Sequence, residues 1–387
     1  MLRSLRVSNY RSLGEDVRVE FGRFTALVGP NGSGKSNVVD ALRFVSDAMH
    51  MGLSGAVTHR SGIDAVRRWS GGHPFDLRIE VELELAEGSA GHYGFVLTGA
   101  SEEEYHVKSE EAWLTGPDGT GIEFRVEEGR WAKGPSDLRP PLNRQGLALQ
   151  LVGGDERLSP LVDALRAVSI YSIFPDTLRA PQKYSPRKPM ERHGENWVSI
   201  LKDQPIDTWK ADLVSALDKL TGDTVDIKIK SAAGYLVVEF EHRTEKKKRK
   251  WFSADQESDG TLRVAGIISA LLQDPPVSVI GIEEPELTVH PGAISLLYDF
   301  LHQATERSQV IITTHSPEML EHVDAGDVRV VERRDGVSSV CPMAWQQKKA
   351  VRDQLLTLGD LLRGPGIEQQ DEDEDEPPPQ LSLAGAS

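Results

Sequence analysis

Eight consecutive residues, Gly29-Pro30-Asn31-Gly32-Ser33-Gly34-Lys35-Ser36, satisfy the pattern G-x-x-x-x-G-K-[ST] at every fixed position. Three glycines let successive backbone N–H groups turn inward on a polyphosphate, and the N-terminus of a following helix adds partial positive charge. In that chemistry Lys35 reaches the β- and γ-phosphates and Ser36 ligates Mg²⁺, so ATP and Mg²⁺ are the expected ligands. A second group lies far along the chain, where the apolar run Val277-Ser278-Val279-Ile280-Gly281-Ile282 ends in Glu283-Glu284. Neighbouring strand residues point to opposite sides, so one carboxylate can anchor the metal and the other orient an attacking water. Glu283 is assigned the first role and Glu284 the second. His315 follows another apolar run, Val310 to Thr314, where a ring nitrogen can bond the γ-phosphate or that water. His290, His302 and His322 lack metal-ligand spacing, and the seven tryptophans form no cage.

These groups need strands and helices to hold them. Phe24 to Val28 is a short apolar run suited to a buried strand, and Asn37 to Ala48 has the apolar spacing of a helix, so strand, loop and helix follow in order. Leu5 to Leu13 and Val17 to Phe21 alternate as strands before the loop. After the helix, Gly52 to Gly72 reads as irregular surface. Leu77 to Leu85, Tyr93 to Leu97, Tyr105 to Lys108, Glu111 to Leu114 and Gly121 to Val126 form an expected antiparallel meander.

Beyond Pro141 the composition shifts. Leu147 to Val152, Pro160 to Val168, Asn196 to Leu201 and Thr208 to Leu220 have helical periodicity, with a strand at Ile170 to Phe174 and a loop rich in proline and charge at Pro181 to His193. Val225 to Ile229 and Tyr235 to Phe240 return to strand. The basic run Lys246 to Lys250 then reads as a hairpin tip, with contact to nucleic-acid phosphates as its other reading. Leu262 to Leu272 and Pro291 to Ala304 are expected helices, and Val328 to Val331 a further strand, which together imply an α/β core.

Composition narrows the function classes. The formal net charge is -16, and -9 remains after the seven acidic residues beyond Pro365 are set aside, so nucleic acid cannot be coated through bulk charge. Cys341 is the only cysteine, which excludes intrachain disulfides and cysteine-based zinc clusters. The opening residues do not resemble a signal peptide and no apolar run approaches a bilayer span, so a cytoplasmic protein without membrane attachment is expected.

With these motifs assembled, the chain resembles the ABC-type ATPase heads of the RecF, Rad50 and SMC group, and especially compact RecF-like AAA-type ATPases of bacterial repair and anti-phage operons. The resemblance spans most of residues 1 to 362 and rests on five stretches in family order. They are Asn9-Tyr10-Arg11-Ser12, Gly29 to Ser36 as Walker A, Ser258-Asp259-Gly260-Thr261 at the signature position, Ile282-Glu283-Glu284-Pro285-Glu286 as Walker B, and Thr314-His315-Ser316 as the switch. Ser-Asp-Gly-Thr stands where the full signature has Ser-Gly-Gly-Gln, and Glu283 stands for the usual aspartate. No Q-loop glutamine is identifiable, and the middle of the chain lacks the heptads of a long coiled coil.

The resemblance implies an α/β P-loop NTPase fold with two lobes, an antiparallel β subdomain and an inserted helical lobe. On that plan residues 1–140 and 223–364 form the ATPase lobes, 141–222 the insert and 365–387 an acidic disordered tail. It implies further that Arg11, Asn37, Ser258, Asp259 and Gly260 join residues 29–36 around the nucleotide, and that ATP drives a homodimer. The load would be DNA or an effector or nuclease protein encoded nearby. The alternatives are a nucleotide-gated module that times assembly with a toxin or nuclease, and an ABC transporter ATPase. The last is disfavoured by the long separation of Walker A from an altered signature.

Overall fold

The computed structural model describes residues 1–68, 75–85, 88–101, 104–244 and 248–370. From the N-terminus, β1 (Leu2–Ser8) and β2 (Val17–Glu20) precede β3 (Phe24–Val28), the phosphate-loop residues and α1 (Lys35–Thr58). The helix is longer than expected. It continues through Gly52, whose φ of 87° marks a kink, because Leu53, Ala56 and Val57 beyond it are buried. A meander follows: β4 (Leu77–Glu84), β5 (Ala90–Thr98), β6 (His106–Thr115), β7 (Gly121–Glu127) and β8 (Arg130–Lys133). Tyr105 to Lys108 and Glu111 to Leu114, expected as two strands, fall, apart from Tyr105, in the single strand β6. Together with the first two strands these form a seven-stranded sheet in the order β2-β1-β4-β5-β6-β7-β8. β4 alternates buried and less buried residues along its length, as a strand with one wet face must.

The middle of the chain contains α2 (Ala148–Val152), α3 (Ser159–Arg166), β9 (Val168–Tyr171), α4 (Pro175–Arg179), α5 (Trp197–Asp203) and α6 (Ile206–Thr221). It is not purely peripheral. β9 pairs in parallel with a core strand, so the stretch read as an insert contributes an edge to the central sheet, starting earlier than the expected Ile170. Next come β10 (Thr224–Ala232), β11 (Tyr235–Arg243) and β12 (Arg249–Ser253), a three-stranded antiparallel sheet. Arg249 and Lys250 of the basic run lie on β12, whereas Lys246 and Lys247 fall outside the described residues.

The last third supplies α7 (Asp259–Leu271), β13 (Val279–Glu283), α8 (Ile294–Ala304), β14 (Gln309–Thr314), α9 (Pro317–Leu320), β15 (Val328–Arg334), β16 (Val337–Pro342), α10 (Trp345–Arg352) and α11 (Leu358–Arg363). A six-stranded sheet in the order β16-β15-β3-β14-β13-β9 joins the two ends of the chain. The stretch after Pro365 is ordered at first: Ile367 is buried, and the Gln369 amide donates to the carbonyls of Val330 (2.9 Å) and Ser339 (3.1 Å). The expected acidic tail from 371 onward lies outside the described residues.

That central sheet divides two cores. Leu27, Val279, Ile311 and Val331 face the first, with α1 and the seven-stranded sheet. Phe24, Ala26, Val28, Ile280, Ile282, Val310 and Ile312 face the second, with α5 to α8. Alternate residues therefore bury on opposite faces, and each such Val, Leu or Ile contributes about 1.5–3 kcal/mol. Burial on both faces explains why β3, β13 and β14 read as continuous apolar runs. Among the described residues no helix is long and apolar enough to cross a membrane.

Candidate functional site

Parallel pairing brings three strand ends together. In β13 and β14 Glu283 is opposite Thr313, and in β14 and β3 Thr314 is opposite Val28. The residues that follow, Glu284, His315 and Gly29, therefore emerge side by side at the C-terminal edge of the sheet, where open α/β folds collect ligands.

The glycine loop is packed as a rigid cradle. A Cβ at Gly29 would collide with the Val331 carbonyl, and Gly34, with φ of 112°, would press one against Ser338 Oγ at 2.5 Å. Ser338 donates its hydroxyl to Ser33 O (2.6 Å) and shares a hydrogen bond with Ser12 Oγ (2.7 Å). Asn37 Nδ2 donates to the same Ser12 Oγ at 2.6 Å, so its side chain braces the loop from below. Pro30, Asn31, Gly32 and Ser36 are exposed, while Ser33 Oγ is buried without a partner. Lys35 is buried and folds back to donate to Gly29 O (2.7 Å) and Pro30 O (3.1 Å). Burial lowers its pKa below the usual lysine value, against the opposing pull of Glu284 and Glu286. These features fit a polyphosphate: exposed backbone donors, an unsatisfied hydroxyl and a cation held only by carbonyls.

On the opposing strand Glu283 is buried at 8% exposure and accepts from Arg192 Nη2 at 2.6 Å. Arg263, also buried, crosses beneath and donates to Ile173 O (2.5 Å), Glu283 O (3.2 Å) and Glu284 O (2.8 Å). Glu284 has φ of 45°, a left-handed conformation that costs a non-glycine residue about 1–3 kcal/mol. The Arg263 bond and the bond from Glu284 N to Thr313 O (3.0 Å) hold it there. Its Oε1 lies 3.2 Å from His315 Nδ1 without the angular geometry of a hydrogen bond. Glu286 accepts from Thr314 Oγ1 at 2.6 Å, and its burial raises its pKa although Thr314 opposes the change.

The remaining sequence-selected residues stand apart from this edge. Ser258 caps α7 by accepting from Thr261 N at 3.1 Å, Asp259 pairs with Arg179 at 2.5 Å, and Gly260 approaches the Thr288 carbonyl closely. Among the described residues no hydrogen bond or ion pair joins Ser258–Thr261 to Gly29–Ser36. Arg11 lies beside α1, 3.1 Å from Asp40 Oδ2, and directly precedes Ser12 of the loop brace. Sequence reasoning missed Arg192, Arg263 and the Ser12–Ser338 brace. Only tertiary pairing distinguishes them from other loop arginines and strand serines.

His242 on β11 touches Asp223 Oδ1 (2.9 Å) and Glu257 Oε1 (2.8 Å), directly before Ser258. Burial alone would lower its pKa, but the two carboxylates more than reverse that and raise it above the ordinary value. A raised histidine pKa stabilises fully below about pH 6.5 and loses that contribution as pH rises through the folded-state value. The gap in unfolding free energy between the protein and His242→Gln, read from denaturant titrations, should therefore shrink between pH 6 and pH 9, by an amount on the order of 1 kcal/mol after solvent screening. A gap constant over that range would contradict the ion pairs.

A family model described as "AAA domain, putative AbiEii toxin, Type IV TA system" matches residues 24–321. Among curated proteins, the chromosome partition protein Smc of Mycoplasma genitalium is 30% identical over 138 residues, covering 33% of this chain and 14% of that protein. Structural maintenance of chromosomes protein 1B of Homo sapiens is 58% identical over 45 residues, covering 11% of this chain and 4% of that protein. The chain thus matches only a small part of the length of these relatives. A solved Smc head bound to the C-winged helix domain of ScpA superposes with a TM-score of 0.55 and 18% identity, over 88% of this chain and 96% of that one. An Smc head with an extended coiled coil from Pyrococcus furiosus, bound to the C-terminal domain of ScpA, gives a TM-score of 0.54 and 16% identity over 92% and 99% of the two chains. At such identities the shared property is the fold, that of a P-loop ATPase head.

Proposed function

Since this chain belongs to the family described as AAA domain, putative AbiEii toxin, Type IV TA system, we propose that it binds and hydrolyses ATP, closes as an ATP-gated homodimer in the cytoplasm, and passes that closure to DNA or to an effector or nuclease protein in DNA repair or phage defence. One observation carries the reading: the register that sets Gly29, His315 and Glu284 side by side at one sheet edge.

Binding falls to the loop from Gly29 to Ser36, whose N–H groups and the N-terminus of α1 face an anion. Lys35 would exchange the Gly29 and Pro30 carbonyls for phosphate oxygens. Ser36 and Glu283 would hold Mg²⁺, which when bound neutralises charge on the phosphates. Glu284 then orients water and accepts its proton at a carboxylate oxygen, and His315, whose Nδ1 lies 3.2 Å from that carboxylate and has no hydrogen-bond partner of its own, would bond the γ-phosphate or the same water. The strained φ of Glu284, fixed by Arg263 and Thr313, supports this role because a merely structural strand end would relax.

Ser258, Asp259 and Gly260 are assigned to the nucleotide of the second copy. Ser258 offers a hydroxyl and α7 directs its N-terminal N–H groups outward, and both Ser258 and Asp259 are exposed. Residues 1–140 and 223–364 act as the two ATPase lobes, and 141–222 as an inserted, mainly helical lobe that lends β9 to their central sheet. If the active unit is a dimer, hydrolysis rises more than linearly with protein concentration below the dimer dissociation constant. Strict proportionality from nanomolar to micromolar protein would contradict it. The family description, which names a putative toxin, favours a second reading in which slow hydrolysis times assembly with a toxin or nuclease. Turnover below about one per minute, against the more usual enzymic range near 1–10³ per second, would select it.

A further inference from the structure

A cavity of about 920 Å³ opens beside the ATP-site edge, between α1, the segment 59–61, β9 and the loop 187–195. None of residues 29–36 lines it, so it is not the phosphate loop. Its size is that of a small-molecule site. Its lining carries seven Arg or Lys side chains against four Asp or Glu, in a chain whose net charge is -16. Such a reversal of sign attracts anions to the cavity.

The arginines are not all satisfied by their carboxylates. Asp40 is shared between Arg60 (3.1 Å) and Arg11 (3.1 Å), and Asp47 between Arg60 (2.9 Å) and Arg43 (3.6 Å). The Nε groups of Arg11 and Arg192 are buried donors without a partner. Arg43 is largely buried, and that burial together with the charges of Arg192 and Arg60 outweighs Asp47 in its environment. An anion with several oxygens would relieve this crowding and give the orphaned donors acceptors.

Arg192 also connects the cavity to the ATP site, because its Nη2 is bonded to Glu283 Oε1 at 2.6 Å. We propose that this cavity is a second ligand site, built for a phosphorylated small molecule of dinucleotide size, and that its occupant competes with Glu283 for Arg192. Filling the cavity draws Arg192 away and frees the Glu283 carboxylate. Linkage makes the effect reciprocal: metal held at Glu283 releases Arg192 to the anion. The cavity stands on its own residues, whereas the coupling rests on the proposed metal role of Glu283.

The test separates the two. In the Lys35→Ala protein, whose phosphate loop is weakened, calorimetry without Mg²⁺ should detect binding of the 5′-phosphorylated dinucleotide pApA. Adding Arg43→Gln, which keeps the aliphatic stem, should weaken it at least tenfold with an unchanged melting temperature. No binding of pApA, or binding indifferent to Arg43→Gln, overturns the site. A twenty-nucleotide single strand that binds through Arg43 at least tenfold more tightly than pApA overturns the small-ligand assignment in favour of nucleic acid. For the coupling, Arg192→Gln should enlarge the gain in fluorescent ADP affinity on adding Mg²⁺ severalfold over the unsubstituted protein. An unchanged gain overturns it, whatever the cavity binds.

Discussion

Glu284→Gln should lower steady-state ATP hydrolysis by about two to four orders of magnitude while leaving ATP binding intact. The substitution keeps the side chain's shape and its backbone environment. The Glu284 carbonyl remains bonded to Arg263 at 2.8 Å and its N–H to Thr313 O at 3.0 Å, since neither involves the carboxylate. It removes the carboxylate that lies 3.2 Å from His315 and is assigned to accept a proton from water. Phosphate release measured under saturating ATP, with calorimetric ATP affinity as its companion, checks the split. Equal losses in affinity and turnover would place Glu284 in binding rather than in water activation.

Lys35→Ala should act on the other half of that split, weakening ATP binding by about 10- to 100-fold, the range of a charge-assisted hydrogen-bond set. Lys35 is buried and its ammonium is held by two carbonyls of its own loop, which are weaker partners than phosphate oxygens. Burial lowers its pKa by disfavouring the charged form, a cost that a phosphate beside the ammonium would offset. Removing Lys35 leaves Gly29 O and Pro30 O without that donor, so some loss of stability accompanies the loss of affinity. Calorimetry on a sample whose melting curve remains cooperative distinguishes the two, and wild-type-like affinity would remove the phosphate-loop assignment.

Much of this site was legible because its chemistry is local in sequence. Gly29 to Ser36 is a continuous motif, and β3, β13 and β14 announce themselves as apolar runs because the central sheet is buried on both faces. Their mutual register follows from that burial, since a slip by one residue would exchange the faces on which Leu27 and Ala26 lie. Other features were not legible for definite physical reasons. Gly52 suggested a helix end, yet burial of Leu53, Ala56 and Val57 offsets the cost of a glycine kink. β8 and β16 are edge strands with mixed or exposed faces, and α10 buries none of its residues, so neither period stands out. Arg192 lies in a loop whose composition signals only solvent, and its bond to Glu283 spans 91 residues. The pairing of Arg11 with Asp40, and its place on the wall of the second cavity, are likewise tertiary features that no local pattern announces.

The measurement that tests the account most directly is light scattering of the Glu284→Gln protein at micromolar concentration, with ATP and Mg²⁺ and without nucleotide. Within one chain and among the described residues, no hydrogen bond or ion pair joins Ser258 to Thr261 with Gly29 to Ser36, although each presents exposed groups suited to a phosphate. ATP held but not hydrolysed should therefore bridge two copies. The predicted result is a doubling of mass, from the 42.6 kDa of one chain, only in the sample with ATP and Mg²⁺. A monomer in both samples would contradict the account.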